Sequence, residues 1–123
     1  MNEKDYILKL VKASTQLLVT IVSGKNVMDS LVTEEKNDIK ISEDDLFLII
    51  ISKYINDGKI NEAENLIFEH INGCRSAINF EIALSFYRKL SQWSDEQLSK
   101  VNFSREEIID GITEVKSMYE IKR

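Results

Sequence analysis

His70 and Cys74 are the residues whose types and spacing come nearest to chemistry. They stand four positions apart near the end of one predicted helix. That spacing suits a pair of metal ligands, or a nucleophile with its base. The chain has one histidine and one cysteine, however, and a structural metal site takes about four ligands. A histidine in the last turn of a helix also interacts favourably with the helix dipole, and a lone cysteine packs as a small apolar group. The structural reading is preferred for both.

The carboxylates offer the next candidates. Glu43, Asp44 and Asp45 are consecutive, so on a helix they point around the axis rather than at one ion. A calcium loop of alternating acids with a central glycine is absent. Negative charge at a helix N-terminus explains the run. Glu62, Glu64, Glu69 and Glu81 could suggest a di-iron bundle or a hydrolase pair. The bundle motif requires Glu-x-x-His, and Ile67 holds the position three before His70. No glycine-rich phosphate loop occurs. No catalytic, cofactor or metal residue is therefore assigned, and the expectation is a protein that is not an enzyme.

The elements that would position such residues follow from composition. The chain has 123 residues, 43% apolar and 30% charged, with four glycines and no proline. That length fits one domain able to bury a core without metal or disulfide. Turn residues are too scarce for an all-β fold, so helices are expected. Residues 1–41 carry six basic and six acidic side chains; residues 42–123 carry ten and fifteen. No basic patch is available to neutralise phosphates, so no nucleic-acid partner is expected. A lone thiol without a leader-like N-terminus points to a reducing, cytoplasmic setting. The longest strictly apolar run, Leu46 to Ile51, is far shorter than the roughly 20 residues of a membrane span.

Periodicity divides the chain. Residues 4–23 carry Ile7, Leu10, Val11, Leu17, Leu18, Ile21 and Val22 at spacings of three and four, an amphipathic helix stopped by Gly24-Lys25. Ser14 interrupts the stripe. Val27, Met28, Leu31 and Val32 form a helical turn or an extended piece, and residues 33–41 form a polar connector. Ser42 with Asp45 resembles a capping box before "LFLIII", which leaves no polar face and so predicts a central helix; a buried strand is the rival. Asp57-Gly58 ends that helix. Asn61 with Glu64 is expected to cap the next, which shows Ala63, Leu66, Ile67, His70 and Ile71 on one face. A helix over 77–91 follows, then capping boxes at Ser94–Gln97 and Ser104–Glu107. They open a short helix and a last one from Arg105 to about Tyr119, burying Ile108, Ile109, Ile112 and Val115. Gly111 weakens that helix by up to about 1 kcal/mol against alanine. Trp93, Phe103 and Tyr119 are assigned to helix packing.

The stretch "SKYINDGKINEAENLIFEHI" is helix, tight break, helix. Tyr54, Gly58, Ala63 and Ile67 resemble the second half of a tetratricopeptide-type repeat: aromatic, turn glycine, then a small residue where two helices touch. Residues 78–100 form a decayed second copy, with Ala83 and Tyr87 in place but no turn glycine. "YINDGKINEAENLIFEHI" with "ALSFYRKLSQWSDEQLSKVNFSREEIIDGI" also resembles a family of small uncharacterised helical proteins of low-GC Gram-positive bacteria, a domain of unknown function. The resemblance covers most of residues 45–115. It implies a helical fold and carries over no catalytic residue.

The expected architecture is all-α, a single helical domain over 1–123. It has five to six helices in antiparallel hairpins, a helical-hairpin core over 42–119 and tetratricopeptide-like right-handed stacking. The expected function is non-enzymatic protein–protein interaction or scaffolding. An unidentified protein partner would meet the face formed by the first helices, at Asp45, Ser52, Asn56, Ser85 and Lys89. The N-terminal helix has three possible roles: completing the core, forming a homodimer seam through residues 4–23, or lying on a membrane surface, where Lys4, Lys9 and Lys12 would help. The last is the alternative function, a membrane-associated small regulator; a third reading, less favoured, is an enzyme of unknown class whose titratable groups converge only in the folded chain.

Overall fold

The computed structural model describes residues 3–23 and 43–120. The expectations for Gly24-Lys25, for 27–32, for the 33–41 connector and for the Ser42 cap lie outside the described residues. Six helices and no strand occur among the described residues: α1 (Glu3–Ser23), α2 (Glu43–Asn56), α3 (Ile60–Gly73), α4 (Ala77–Ser91), α5 (Asp95–Lys100) and α6 (Arg105–Tyr119).

Each boundary has a local cause. Ser94 and Ser104 accept hydrogen bonds from the backbone N–H of Gln97 and Glu107, and those two side chains accept from the serine N–H in return. Both capping boxes therefore form as the sequence predicts. Ser76 caps α4 by accepting from the Asn79 N–H. The α2–α3 corner closes through Gly58, whose φ of +78° lies in the left-handed region. The Lys59 N–H reaches back to the Tyr54 carbonyl and the Gly58 N–H to that of Ile55. This pair of bonds satisfies the last carbonyls of α2.

One predicted start is displaced. Asn61 does not cap α3: the helix already begins at Ile60, after Lys59, which makes no side-chain cap. The glycine turn delivers the chain into helix one residue early. Asn61 is then an exposed position inside the first turn, and the Glu64 carboxylate is free for a different partner.

The central helix is α4, not α2. It packs against α1, α3 and α6, with a thinner contact to α2. Its buried positions are Ala77, Asn79, Phe80, Ile82, Ala83, Leu84, Phe86, Tyr87 and Leu90, which run almost round the helix. α2 lies at the periphery, and its run of six apolar residues outlasts the surface that covers it. Ile51 and Ile55 are buried, Phe47 and Tyr54 partly so, while Leu46, Ile49 and Ile50 face outward.

α1 joins the core through one face. Leu10, Ser14 and Leu17 are buried against α4 and α6, and the Ser14 hydroxyl donates to the Val11 carbonyl, so the break in the apolar stripe is satisfied within the helix. Two polar ties fix its N-terminal end to α4. The Glu3 carboxylate accepts from the Ala77 N–H at 2.7 Å, and the Tyr6 hydroxyl donates to Glu81 at 2.6 Å. Val22, placed on the apolar stripe by spacing, is 72% exposed instead. Ile108, Ile112 and Val115 of α6 are buried, whereas Ile109 is only half-buried.

Candidate functional site

The most distinctive surface is the outward side of α2. Leu46, Ile49 and Ile50 recur at three and four positions, so the helical period places them on one stripe. They are 59%, 65% and 41% exposed. Beside them runs an open groove of about 470 Å³, lined by Leu48, Ile49, Ser52, Lys53, Asn56 and Asp57. Lys53 and Asp57 approach at 4.0 Å across one turn. Both are largely in water, so the pair contributes little stability and leaves its charges available at the rim.

The candidate residues divide. Ser52 and Asn56 both line this groove. Asp45 belongs to the first turn of α2, and its side chain lies outside the described residues. Ser85, half-buried, and Lys89, exposed, stand on α4 and do not line the groove. The α2 surface is thus built from one helix. Leu48, Ile49, Lys53 and Asp57 were not singled out by sequence, because a six-residue apolar run hides which of its members turn outward.

The other candidates go to structural joints. His70 stacks flat on Phe47 of α2, ring centroids 3.8 Å apart and planes within 6°. Cys74 is exposed, and its backbone N–H closes α3 onto the His70 and Ile71 carbonyls. Asn79, buried in α4, donates to the His70 and Cys74 carbonyls, pinning the same corner. Among the described residues, no group of three or more His, Cys, Asp or Glu side chains could hold a metal ion. Glu62 and Glu69 are exposed, Glu81 accepts from Tyr6, and Glu64 accepts from Tyr87. The four glutamates therefore serve separate places rather than one site. Phe103 and Tyr119 are buried and Trp93 is packed against the core; Tyr119 stacks on Phe80 at 4.2 Å and donates to the Ser76 carbonyl.

At the Glu64–Tyr87 contact the ionisation of both partners is shifted upward. The Tyr87 ring is fully buried and its hydroxyl donates to Glu64 Oε2 at 2.5 Å. Burial lifts the Glu64 carboxyl above the usual carboxylate range; the tyrosine hydrogen bond opposes this and Glu107 adds to it. Burial likewise lifts the Tyr87 hydroxyl, helped by the charges of Glu64 and Glu114. The hydrogen bond joins α3 to α4.

A family model described as a family of unknown function (DUF6483) matches residues 1–120. The chain belongs to that family. No curated protein and no solved structure matches this DUF6483 chain. The all-α fold and the membership agree with the expectations drawn from the sequence.

Proposed function

We propose that the protein is a non-enzymatic interaction module that receives an amphipathic helix of a protein partner on the outward side of α2. The observation that carries this is the exposed Leu46, Ile49 and Ile50 stripe flanked by Ser52, Lys53, Asn56 and Asp57. An apolar stripe with a polar rim is what a helix-in-groove interface requires: the apolar part supplies affinity and the rim supplies register. Tetratricopeptide-like stacking is part of the reading. In its support, α2, α3 and α4 follow one another as packed neighbours, and α2 also touches α4, as the first helices of successive hairpins do. α6 packs on α4 in the place that the short α5 leaves.

The test is a photocrosslinking residue at position 49 of the full chain, compared with one at exposed Lys100. The expected result is a discrete adduct at 49 that is absent at 100 and lost when Asn56 and Ile50 are changed to Ala and Lys. An adduct with a second copy of the chain identifies a homodimer. Equal yields at both positions overturn the reading.

A second reading has its own observation. α1 is long and apolar enough by composition to cross a membrane, and its outer face exposes Leu8, Val19 and Val22. Membrane-surface attachment through that face predicts co-sedimentation of the full chain with anionic vesicles and its loss on Val22→Glu. The polar ties of Glu3 and Tyr6 to α4 speak for the interaction reading.

A further inference from the structure

The outward side of α2 differs between its two ends. Toward the N-terminal end Leu46 stands 59% exposed, one turn ahead of Ile49 and Ile50, and takes no part in lining the groove. The groove lies toward the C-terminal end, lined by Leu48, Ile49, Ser52, Lys53, Asn56 and Asp57. Charge divides the same way. The first turn of α2 is Glu43, Asp44 and Asp45 by sequence. The other end carries exposed Lys53 and Asp57 and, past the Gly58 corner, exposed Lys59. One helix thus offers a projecting leucine with negative charge at one end, and a recess with an excess of positive charge at the other.

We propose that the helix received at this surface is α2 of a second copy of the chain, laid antiparallel about a two-fold axis between Ile49 and Ile50. The proposal rests on the docking reading above and names its partner. A two-fold contact must be self-complementary, because each copy gives the same surface. Here the axis sets Ile49 against Ile50 of the second copy, and Leu46 of each copy against the recess beside Lys53 of the other. The leucine fills the recess, and the lysine stem lies along it with its ammonium directed to the acidic first turn of the second copy. Lys53 and Asp57 approach only to 4.0 Å in water, so little is lost when Lys53 turns away. A parallel arrangement would bring the two acidic turns together, and like charges across an interface disfavour it. Size sets the strength. α2 has 14 residues and is about 21 Å long, so a contact through it alone covers less than the roughly 800 Å² per partner of a standard interface. The dimer is therefore weak and concentration-dependent, and the inward Ile51 and Ile55 belong to each copy's own core.

The experiment is sedimentation velocity of the full chain across roughly 5–500 μM, the range in which a small interface assembles. A shift from monomer to dimer is expected. Leu46→Lys should weaken the dimer by about tenfold or more. Its urea midpoint should stay that of the wild type, because Leu46 is exposed in each copy. Lys53→Glu and Asp45→Lys should each weaken self-association, since each sets like charges at both ends of the contact. An equimolar mixture of these two variants should restore it, because the mixed pair again sets opposite charges at both ends. Misfolding of either variant could not produce that recovery. A chain that stays monomeric throughout overturns the second copy as partner. An adduct with another protein at position 49 would then preserve the docking reading, whereas equal yields at 49 and 100 would remove both. A dimer indifferent to Leu46→Lys, or a mixture that does not reassociate, overturns the antiparallel α2 contact.

Discussion

Gly111 and Tyr87 occupy space that a single additional carbon would close. A Cβ at position 111 would lie 2.3 Å from the Tyr87 hydroxyl oxygen, 2.4 Å from Cζ and 2.6 Å from Cε1. The ring is fully buried in the core and cannot swing aside. Helix propensity alone favours alanine at this position by up to about 1 kcal/mol. Overpacking a filled core costs roughly 1–3 kcal/mol, so steric conflict wins. Gly111→Ala is expected to lower unfolding stability by about 1–2 kcal/mol in urea titration. In a Tyr87→Ala background the same change should turn neutral or favourable, and the double-mutant cycle reads the coupling directly.

The contrast between two kinds of cap gives a second prediction. Ser94 and Ser104 both make reciprocal boxes, whereas Asn61, equally plausible by sequence, makes none. Ser94→Ala and Ser104→Ala should each cost about 0.5–2 kcal/mol. Asn61→Ala should cost nothing and gain a few tenths of a kcal/mol, since alanine is the better helix former at an exposed interior position. Chemical denaturation of the three variants checks the order.

These cases show what the sequence carries and what it hides. Helix existence was legible because caps, glycines and apolar spacing agree locally at Gly58, Ser94 and Ser104. The centre of the fold was not. Hydrophobicity marked α2, yet the deeply buried helix is α4, whose Glu81, Arg88 and Lys89 dilute its pattern while its polar ends reach the edges. Burial there lowers the Arg88 guanidinium from its usual value, partly offset by Glu81. Asn79 is buried with its amide nitrogen donating to the His70 and Cys74 carbonyls, a pairing that no periodicity signals, while its Oδ1 is left without a partner. Of the candidate surface, Ser52 and Asn56 were legible because a helical period relates them. Ser85 and Lys89 were not brought to them, because that requires the angle between helices.

Arg105 supports a third prediction. Its guanidinium donates to the Ser91 carbonyl at 3.0 Å, to the Trp93 carbonyl, and to Asp95 at 3.0 Å. One side chain thereby gathers the end of α4, the turn after it and the start of α5. Asp95 is largely in water, so its ion pair contributes little. The two carbonyl bonds carry the effect, because hydrogen bonds from a charged donor are stronger than neutral ones. Arg105→Ala is expected to cost about 1.5–3 kcal/mol. Arg105→Lys should recover less than half, since an ammonium cannot span the three acceptors as a planar fork does. Thermal denaturation with Trp93 fluorescence as the probe reports both stability and the local turn.

The last prediction separates the two sides of α2. Ile49 and Ile51 are two residues apart with the same side chain, and they are 65% and 3% exposed. Ile51→Ala removes buried methylenes and leaves a cavity against the core, at a cost of about 2–4 kcal/mol. Ile49→Ala removes surface already in water and should fall within ±0.5 kcal/mol. Both are measured by urea unfolding of the isolated protein. Were α2 central, as its apolar run suggests, the two costs would be alike. A large difference means that Ile49 gives the folded chain no stability of its own. If the α2 stripe receives the proposed partner helix, the same Ile49→Ala variant should weaken capture there while keeping wild-type stability.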